Sequence, residues 1–493
     1  MRPIPPGWSS AANGAITRPL DVVETWLHRM VAGAGARLNR DPFAITLRLK
    51  LKFPSIISDP TPYLRRTWLV SRHLHPQLGA LYPPISAQQK NVTIPPLDPV
   101  EWLKSSFTVH QGDAAVFKSA DDAVKTHHPT PTATAHWLPA TSELLIRTTH
   151  LRLDGMGLFR LTHSFMTSLA SVMRLGLDAD VNSYPSNITE PTPSPGMGDA
   201  TKIAEDGEPT PEYATKAIDE FIGQYDKGKP GIALPIREGS EKSMPANTRR
   251  LSSTLDKTTT SAIREACKDN GISIATAVQT SLIRAVASFP QQSTSKDLLI
   301  RVATDLRQLL APHYNDPEYA VGLYVASFPS CIPDGLDPKL TFVQLAQKIN
   351  PVFTTDLTNI AQDNKGRPVS FLKILEPYLN REFKLLTELP HDSAIKRSPG
   401  LSSVGLIEKF LEREYSFGEG QSERVDIESM WIAVDNIGQL PAFHIFTFRD
   451  QMTLQACFNE SYYEDGFMND VIERIKVELV NGLGIRAPIS SRL

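Results

Sequence analysis

Apolar and polar residues alternate without interruption near the start of the chain. Apolar residues fill every odd position from 45 to 53, and polar residues fill every even position from 46 to 52. A side-chain period of two is typical of a β-strand that packs one face against a core and turns the other to solvent. The pattern therefore predicts a strand with one solvated face, which ends at Pro54.

Helical and extended periods recur in the second half of the chain. A helix is predicted over residues 258–269, and Asn270-Gly271 is its stop signal. Ser273 caps a second helix, whose apolar residues repeat every three to four positions up to Phe289. An apolar run predicts a strand over residues 298–303.

A hairpin and a helix are predicted near the end of the chain. The apolar runs 442–446 and 452–456 flank Arg449-Asp450, and this arrangement is typical of two antiparallel strands joined by a tight turn. Residues 467–480 have helical spacing and predict a closing helix.

A short apolar run, a histidine-containing loop and an amphipathic helix follow one another between residues 143 and 174. The run Leu144–Ile146 predicts a buried strand. Apolar residues then recur at helical spacing, Asp154 is placed to cap that helix, and Gly176 is a stop signal. His150 is therefore predicted in a loop between two rigid elements, where catalytic side chains are concentrated.

The spacing of His150, Asp154 and Gly155 fits general-base chemistry. A neutral imidazole accepts a proton near neutral pH, provided that its position is fixed. Asp154 is either a second base or a brace that caps the helix and pairs with a cation, and we favour the brace. Gly155 allows a close approach of the backbone or a positive φ. The alternative is a core histidine beside an ordinary helix cap, and the residues alone leave both interpretations open.

Composition narrows the classes of function. Hydrophobic residues make up 41% of the chain and charged residues 21%, which is ordinary for a globular protein. The net charge of −3 gives no electrostatic reason to expect nucleic acid or an anionic membrane as a partner. Cys267, Cys331 and Cys457 are widely spaced, which favours a reducing compartment such as the cytoplasm over a disulfide framework or a metal site.

The length of 493 residues exceeds one ordinary core, so two domains are expected. Residues 181–247 are rich in Pro, Gly, Ser, Thr and charged residues and are too long for an ordinary loop. The predicted division is an N-terminal domain over residues 1–180, an interdomain linker over 181–247 with a short helix near 214–225, and a C-terminal domain over 248–493.

The segment TTHLRLDG, residues 148–155, resembles the H-x-x-x-D-G signature of the superfamily of acyl-CoA-dependent acyltransferases and condensation domains. The resemblance extends over nearly the whole chain. The branch it resembles most contains fungal trichothecene 15-O-acetyltransferases and related secondary-metabolite O-acyltransferases. This resemblance implies an α/β (α+β) fold of two chloramphenicol-acetyltransferase-like domains. Each would be a mixed sheet with helices, in a V shape with an active-site channel between the domains.

The resemblance also implies a partner for the signature aspartate. Asp305-Leu306-Arg307 resembles the D-x-R segment that follows a strand of the second domain in this superfamily. It implies that Arg307 pairs with Asp154, clamps the His150 loop and ties the two halves together. A solvated Asp and Arg in a turn is the alternative.

Further site candidates come from the same resemblance. Ser402-Ser403-Val404-Gly405 resembles an S-N-x-G segment, with Ser403 in place of the usual Asn. Ser402, Ser403 and Gly405 would then lie on a strand near the channel, where a hydroxyl can stabilise a carbonyl oxygen as it gains charge. An ordinary edge strand is the alternative.

Two weaker resemblances complete the set of candidates. Asp435, Asn436 and Gly438 occupy roughly the place of the plant D-F-G-W-G motif, but its aromatic residues are absent, so any role there would be structural. Tyr324 lies in a strand predicted to run from Gly322 to residue 328 and is a further candidate.

The function implied by the resemblance is O-acyl transfer with His150 as general base. The acyl group, most simply acetyl, would pass directly from acyl-CoA to a hydroxyl of a hydrophobic secondary metabolite, such as a trichothecene or another terpenoid or polyketide. Acetyl-CoA or another acyl-CoA would be a co-substrate, with no permanently bound cofactor and no metal, and the protein would be a monomer.

Two other functions stay open at this point. One is a condensation-like enzyme that uses a carrier-protein thioester or catalyses a cyclisation. Thr149 stands where condensation domains usually carry a second His, which favours a free-standing O-acyltransferase. The other is a non-catalytic metabolite-binding protein with the same fold.

Overall fold

The structure is a computed structural model of the chain. It describes residues 7–485 except 85–86, 89, 113–114, 126–127, 184–191, 202–210, 229–230, 292–294, 313, 317–320, 390–398 and 421–422. Among the described residues, none of the helices combines the length and the apolar character that a bilayer crossing requires.

Helices and strands alternate irregularly along the chain. The α-helices are Val22–Leu38 (α1), Thr61–Leu74 (α2), Pro99–Ser106 (α3), Asp122–Lys125 (α4), Gly155–Leu175 (α5), Met197–Thr201 (α6), Glu212–Lys227 (α7), Lys257–Asp269 (α8), Ile274–Ala287 (α9), Phe342–Ile349 (α10), Leu375–Glu388 (α11) and Asp465–Gly482 (α12). The strands are Ser9–Ser10 (β1), Ile16–Pro19 (β2), Ile45–Lys52 (β3), Asn91–Ile94 (β4), Phe107–Val109 (β5), Thr134–Leu138 (β6), Glu143–Thr148 (β7), Thr248–Thr254 (β8), Leu298–Asp305 (β9), Val325–Ile332 (β10), Ala361–Gln362 (β11), Pro368–Val369 (β12), Gly400–Leu406 (β13), Glu414–Ser416 (β14), Arg424–Val434 (β15), Ala442–Phe448 (β16) and Gln451–Asn459 (β17).

The chain forms two compact units. Unit 1 contains residues 1–207, 305–325 and 408–435, and unit 2 contains residues 208–304, 326–407 and 436–493. Each unit contains a six-stranded sheet with both parallel and antiparallel neighbours. The predicted α/β fold of two parts, each with a mixed sheet and helices, is confirmed.

Unit 1 is built on a sheet with the strand order β14-β15-β3-β7-β6-β5. Helices α2 and α5 pack against each other, with Trp68 and Phe165 in ring contact at 6.4 Å between centroids. The strand predicted over residues 44–53 is confirmed as β3, because its period of two matches a pleated strand. The prediction of a solvated face is wrong at Thr46, which is fully buried. Arg48 donates to Glu143 (Nε to Oε1, 2.7 Å) and to Ser429, so neighbouring strands satisfy this charge.

Unit 2 is built on a sheet with the strand order β10-β9-β13-β16-β17-β8. Its apolar core combines one face of this sheet with helices α8, α9, α10 and α12. The predicted helices at 258–269 and 274–289 are confirmed as α8 and α9, and Ser273 accepts a hydrogen bond from the Thr276 amide as the N-cap of α9. The predicted closing helix is α12.

The hairpin predicted around Arg449-Asp450 is confirmed as β16 and β17. Both turn residues have positive φ, 51° and 64°. A two-residue turn of this kind matches the right-handed twist of the two strands, which explains why the chain reverses at this point.

The two units are not the two predicted segments of sequence. Segments 305–325 and 408–435 lie in the predicted C-terminal domain but belong to unit 1. Strand β15 pairs antiparallel with β3, with Ile432 opposite Leu47, and this pairing places residues 424–434 in the first sheet. The segment 181–247 contains α6 and α7, and α7 includes the short helix predicted near 214–225.

Candidate active site

The His150 loop, residues 149–154, connects β7 to α5 in unit 1. The central run of β7 is fully buried, and α5 is anchored by buried apolar residues that include Leu158, Phe165 and Leu169. Both ends of the loop are therefore rigid, and His150 lies partly buried between them. The strand, loop and helix predicted from the sequence are all present.

Asp154 is the N-cap of α5 and the centre of a hydrogen-bond network. The residue is 2% exposed, and its side chain accepts four hydrogen bonds. Oδ1 accepts from the Gly157 amide at 2.7 Å and from Arg307 Nη2 at 2.9 Å, while Oδ2 accepts from Arg307 Nη1 at 3.0 Å and from the Tyr324 amide at 2.7 Å. Both oxygens are occupied, so the geometry supports Asp154 as a brace and not as a second base.

Arg307 forms the predicted ion pair with Asp154. The pair is bidentate, and each side chain is 3% exposed. Arg307 also donates to Asp305 Oδ1 at 2.8 Å and to the Gly322 carbonyl at 2.9 Å. Although burial opposes the charge, the two carboxylates raise the pKa of Arg307 above its usual value. We call this network of Asp154, Asp305, Arg307 and Gly322 the clamp. All four residues belong to unit 1, so the clamp holds the His150 loop within one unit.

Tyr324 takes part through its backbone and its ring. The predicted strand over 322–328 starts later, at Val325, because the preceding backbone serves the clamp. The Tyr324 amide donates to Asp154, and the Gly322 carbonyl accepts from the Asp154 amide at 3.2 Å. The Tyr324 ring lies 5.3 Å from the guanidinium carbon of Arg307, and its hydroxyl donates to the Pro195 carbonyl at 2.9 Å.

The glycine that the clamp requires is Gly157 and not Gly155. A Cβ at Gly157 would lie 2.6 Å from the Gly322 carbonyl oxygen and 3.1 Å from Arg307 Nη2. At Gly155, a Cβ would meet only Ile432 Cδ1 at 3.7 Å, an ordinary contact, and the backbone φ is not positive. The close approach expected at Gly155 therefore occurs two residues later. Sequence reasoning missed Gly157 because its neighbour, Gly322, is distant along the chain.

We expect Gly157→Ala to destabilise the protein by about 1–3 kcal/mol, the usual cost of forcing an extra methyl group into a packed site. Gly155→Ala is the matched control, and we expect its free energy of unfolding to stay within about 0.5 kcal/mol of wild type. Urea unfolding of the two variants measures the difference. Equal stabilities for both would contradict this account of the clamp.

His150 is held in its neutral form by its surroundings. Burial lowers the pKa of the imidazole below 6.5, and the nearby Asp154 charge and the ring's own backbone carbonyl oppose this only in part. Nδ1 is buried and makes no hydrogen bond to another residue of the described chain. Because Nδ1 is shielded from solvent, we assign proton transfer to Nε2.

Two side chains hold the middle of the loop, and neither was a candidate from sequence. Tyr82 Oη donates to the Leu151 carbonyl at 2.8 Å. Arg152 is 3% exposed and donates to Thr148 Oγ1 at 2.8 Å and to the Ala80 carbonyl at 2.6 Å. Nothing in the local sequence pattern distinguishes Arg152 from a solvated arginine, because its partners lie on other elements.

Ser402, Ser403 and Gly405 lie on β13 in unit 2, as the sequence predicted. Ser402 is in register with His444 of β16, whereas Ser403 is in register with the core residue Ile445. Because successive residues of a strand face opposite sides, Ser402 and Ser403 do not share a face. Gly405 follows a register shift and has φ +79°, so its glycine serves the bulge.

His444 is a buried histidine that sequence reasoning did not single out. It is 5% exposed, its Nδ1 makes no hydrogen bond to a described residue, and burial lowers its pKa to about 4. A neutral imidazole therefore lies beside Ser402 on one sheet face.

The remaining candidates have structural contacts. Asp435 is 1% exposed and forms a buried ion pair with Arg40 in unit 1. Asn436 accepts from the Gly438 amide at 2.9 Å, and its own amide donates to Thr248 Oγ1 at 3.0 Å in unit 2. The described residues hold no group of three or more His, Cys, Asp or Glu side chains arranged around a metal position.

Comparison with known proteins gives relatives over the full length. The chain is 39% identical over 489 residues to a protein of Epichloe uncinata named loline biosynthesis cluster 1 transcription factor lolU1, covering 98% of each chain. It is 24% identical over 485 residues to acetyltransferase pigO of Monascus ruber, covering 97% of this chain and 98% of pigO. No family model matches the chain.

Among solved structures, the chain is similar to the trichothecene 15-O-acetyltransferase TRI3 of Fusarium sporotrichioides. The TM-score is 0.77, with 15% identity and coverage of 98% of this chain and 99% of that chain. At this identity the likeness shows a shared fold.

Proposed function

We propose that the chain is an O-acetyltransferase of secondary metabolism in the superfamily of acyl-CoA-dependent acyltransferases and condensation domains. The fold that it shares with TRI3 and its full-length similarity to pigO support this proposal. The chain would transfer an acetyl group from acetyl-CoA to a hydroxyl group of a hydrophobic metabolite. The observation that carries the proposal is the position of His150 in a loop that the buried Asp154–Arg307 ion pair braces. Burial there lowers the pKa of the imidazole, which favours its neutral form.

The proposed reaction is a direct transfer. His150 Nε2 removes the proton from the acceptor hydroxyl, and the alkoxide oxygen attacks the thioester carbonyl carbon. The carbonyl π electrons move onto oxygen, and the tetrahedral intermediate then expels the CoA thiolate. The imidazolium returns its proton to the thiolate. A positioned general base contributes about 10²–10⁴-fold to such a step, and positioning and charge stabilisation supply the rest.

The developing oxyanion requires a hydrogen-bond donor. Ser402, a half-buried serine of β13, stays a prediction from the resemblance for this role. The acceptor class rests on the relatives. The name of TRI3 specifies a trichothecene acceptor, which supports a hydrophobic polycyclic alcohol here.

We expect the acid limb of the kcat/KM profile to have an apparent pKa below 6.5. Burial lowers the pKa of His150, so the neutral base persists to lower pH than a solvated histidine would allow, and activity falls only as the pH drops through this lowered value. In the free enzyme the kcat/KM profile reports this group. The pH profile of the residual activity of His150→Ala should lack this acid limb. An acid limb at or above pH 6.5 would contradict the assignment.

A thiol-release assay with the full chain tests the function. Acetyl-CoA is incubated with a panel of terpenoid and polyketide alcohols, and release of CoA is followed with and without each alcohol. The proposal expects release that depends on an alcohol. Release only from an acetyl group on a carrier protein would favour the condensation-like alternative, and acetyl-CoA that neither binds nor reacts would overturn the proposal.

A regulatory role is the second candidate function, and the name of lolU1 favours it. A regulator of this fold would bind a metabolite or a partner without turnover. Retention of a labelled promoter fragment by the purified chain, together with no CoA release for any alcohol, would favour this candidate. Turnover that disappears in His150→Ala would favour the transferase.

A further inference from the structure

A small, partly enclosed cavity with several polar side chains in its wall lies in unit 1, and Arg152 of the His150 loop is one of its lining residues. Its volume is about 20 Å³, and a buried water molecule needs about 10–15 Å³. Residues that line it include Arg18, Gln77, Tyr82, Arg152, Ser194 and Gly322.

Three buried polar atoms of these lining residues make no hydrogen bond to the described part of the chain. They are Arg18 Nε, Gln77 Oε1 and Arg152 Nε. Each residue is at least nine-tenths buried, with 7%, 7% and 3% of its surface exposed. A buried polar group without a hydrogen bond destabilises the folded state by about 1–3 kcal/mol. Three such groups on residues that line one small cavity therefore indicate that a common partner binds there.

The other polar atoms of these side chains are already engaged. Arg18 is paired with Glu24 through both Nη atoms, at 2.7 and 2.9 Å. Gln77 Nε2 donates to the Val321 carbonyl at 2.8 Å, which orients Oε1 as the free acceptor. The Arg152 Nη atoms donate to Thr148 and to the Ala80 carbonyl.

The unsatisfied set consists of two N–H donors and one oxygen acceptor. Water matches this set, because its oxygen accepts two hydrogen bonds while its hydrogens donate. A halide or another simple anion would accept from Arg18 and Arg152 but has no hydrogen for Gln77 Oε1. The Glu24 carboxylate, which also lines the cavity, would repel it.

The cavity wall is also the support of the loop. Arg152 and the Leu151 carbonyl, which Tyr82 holds, belong to the His150 loop. On the opposite side, the Gly322 carbonyl accepts from the Asp154 amide. A partner that joins Gln77 and Arg18 to Arg152 therefore restrains the loop two residues after His150.

We propose that this cavity binds ordered water, as one molecule or a pair, and that the water joins Gln77 and Arg18 to Arg152 and so positions the loop that carries His150. Arg152 and Gln77 are then positioning residues. The effect on catalysis rests on the proposed function, whereas the water site does not.

A crystal structure of the full chain, from a crystal soaked in bromide and diffracting well enough to show ordered water, tests the ligand. We expect density within hydrogen-bond distance of Arg18 Nε, Gln77 Oε1 and Arg152 Nε, with no anomalous bromide peak. An empty cavity or a bromide peak would overturn the water site.

Three variants test the positioning role. Gln77→Met removes the acceptor at similar size, Gln77→Glu keeps an oxygen acceptor but loses the donor to Val321, and Gln111→Met is an exposed control in unit 1. We expect Gln77→Met to lower Tm by several degrees, to shift the NMR titration midpoint of His150 and to lower kcat several-fold at unchanged KM for acetyl-CoA. Gln77→Glu should recover the cavity density and most of the wild-type titration.

The outcomes distinguish a failure of the positioning role from a failure of the proposed function. A wild-type His150 titration in Gln77→Met would overturn the positioning role, and so would equal defects in Gln77→Met and Gln77→Glu, because the lost bond to Val321 would then be responsible. If Gln77→Met fails to fold, two other results test the proposal. The wild-type density tests the water site, and the His150 titration of Gln77→Glu tests the positioning role. Absence of any acetyl transfer by wild type counts against the proposed function alone, since density and titration do not depend on turnover.

Discussion

Replacement of His150 by alanine is expected to lower kcat about 10²–10⁴-fold, the usual contribution of a positioned general base. The fold should survive, because Nδ1 of the partly buried imidazole makes no hydrogen bond to another described residue and the loop is held by Asp154, Arg152 and Tyr82. Steady-state kinetics and thermal unfolding measure the two quantities separately. His128→Ala, an exposed histidine of the same unit, is the control.

Two other outcomes for His150→Ala would contradict the mechanism. A wild-type kcat in His150→Ala would remove His150 from the reaction. A large fall in kcat together with a fall in Tm of many degrees would instead indicate that the imidazole supports the fold, which contradicts its assignment as a base.

Asp154→Asn is expected to lower the free energy of unfolding by about 3 kcal/mol. Breaking one partner of a buried ion pair typically costs 3–5 kcal/mol. The lower end applies here, because Asp305 still faces Arg307 at 2.8 Å. The asparagine N–H₂ would also face donors from Arg307 or Tyr324. Activity should fall with stability, since a displacement of about 1 Å at a reacting group costs about 10²-fold.

Asp305→Asn is the matched control for this prediction. The Asp305 side chain is 36% exposed and bonds the same guanidinium, so its loss should cost about 1 kcal/mol or less. A double-mutant cycle of Asp154→Asn with Arg307→Met isolates the pair, and the double variant should lose little more than either single variant. Additive losses, or equal effects of Asp154→Asn and Asp305→Asn, would contradict the clamp.

Local periodicity predicted the elements that carry the site. The buried run before His150, the cap at Asp154 and the helical spacing after it depend on neighbouring residues, and the structure contains all three. Arg307 was found only through the resemblance, because its partner Asp154 is remote in sequence and no local rule connects them.

Features set by distant contacts escaped prediction. Gly157 is constrained by the Gly322 carbonyl, which is distant in sequence. Arg152 and Gln77 line a cavity that several elements form together, so their proposed role cannot be predicted from their sequence neighbours. The grouping of residues 408–435 with unit 1 depends on the pairing of β15 with β3, which a linear division of the chain does not reveal.

The most direct test of the central claim is mass spectrometry of a reaction that contains acetyl-CoA, an accepted alcohol and either wild type or His150→Ala. The account predicts that wild type forms the acetyl ester of the alcohol and free CoA in equal amounts, with no acetylated enzyme, and that His150→Ala forms both about 10²–10⁴-fold more slowly. Equal ester formation by both proteins would contradict it, as would an acetylated wild-type enzyme that reacts on with the alcohol.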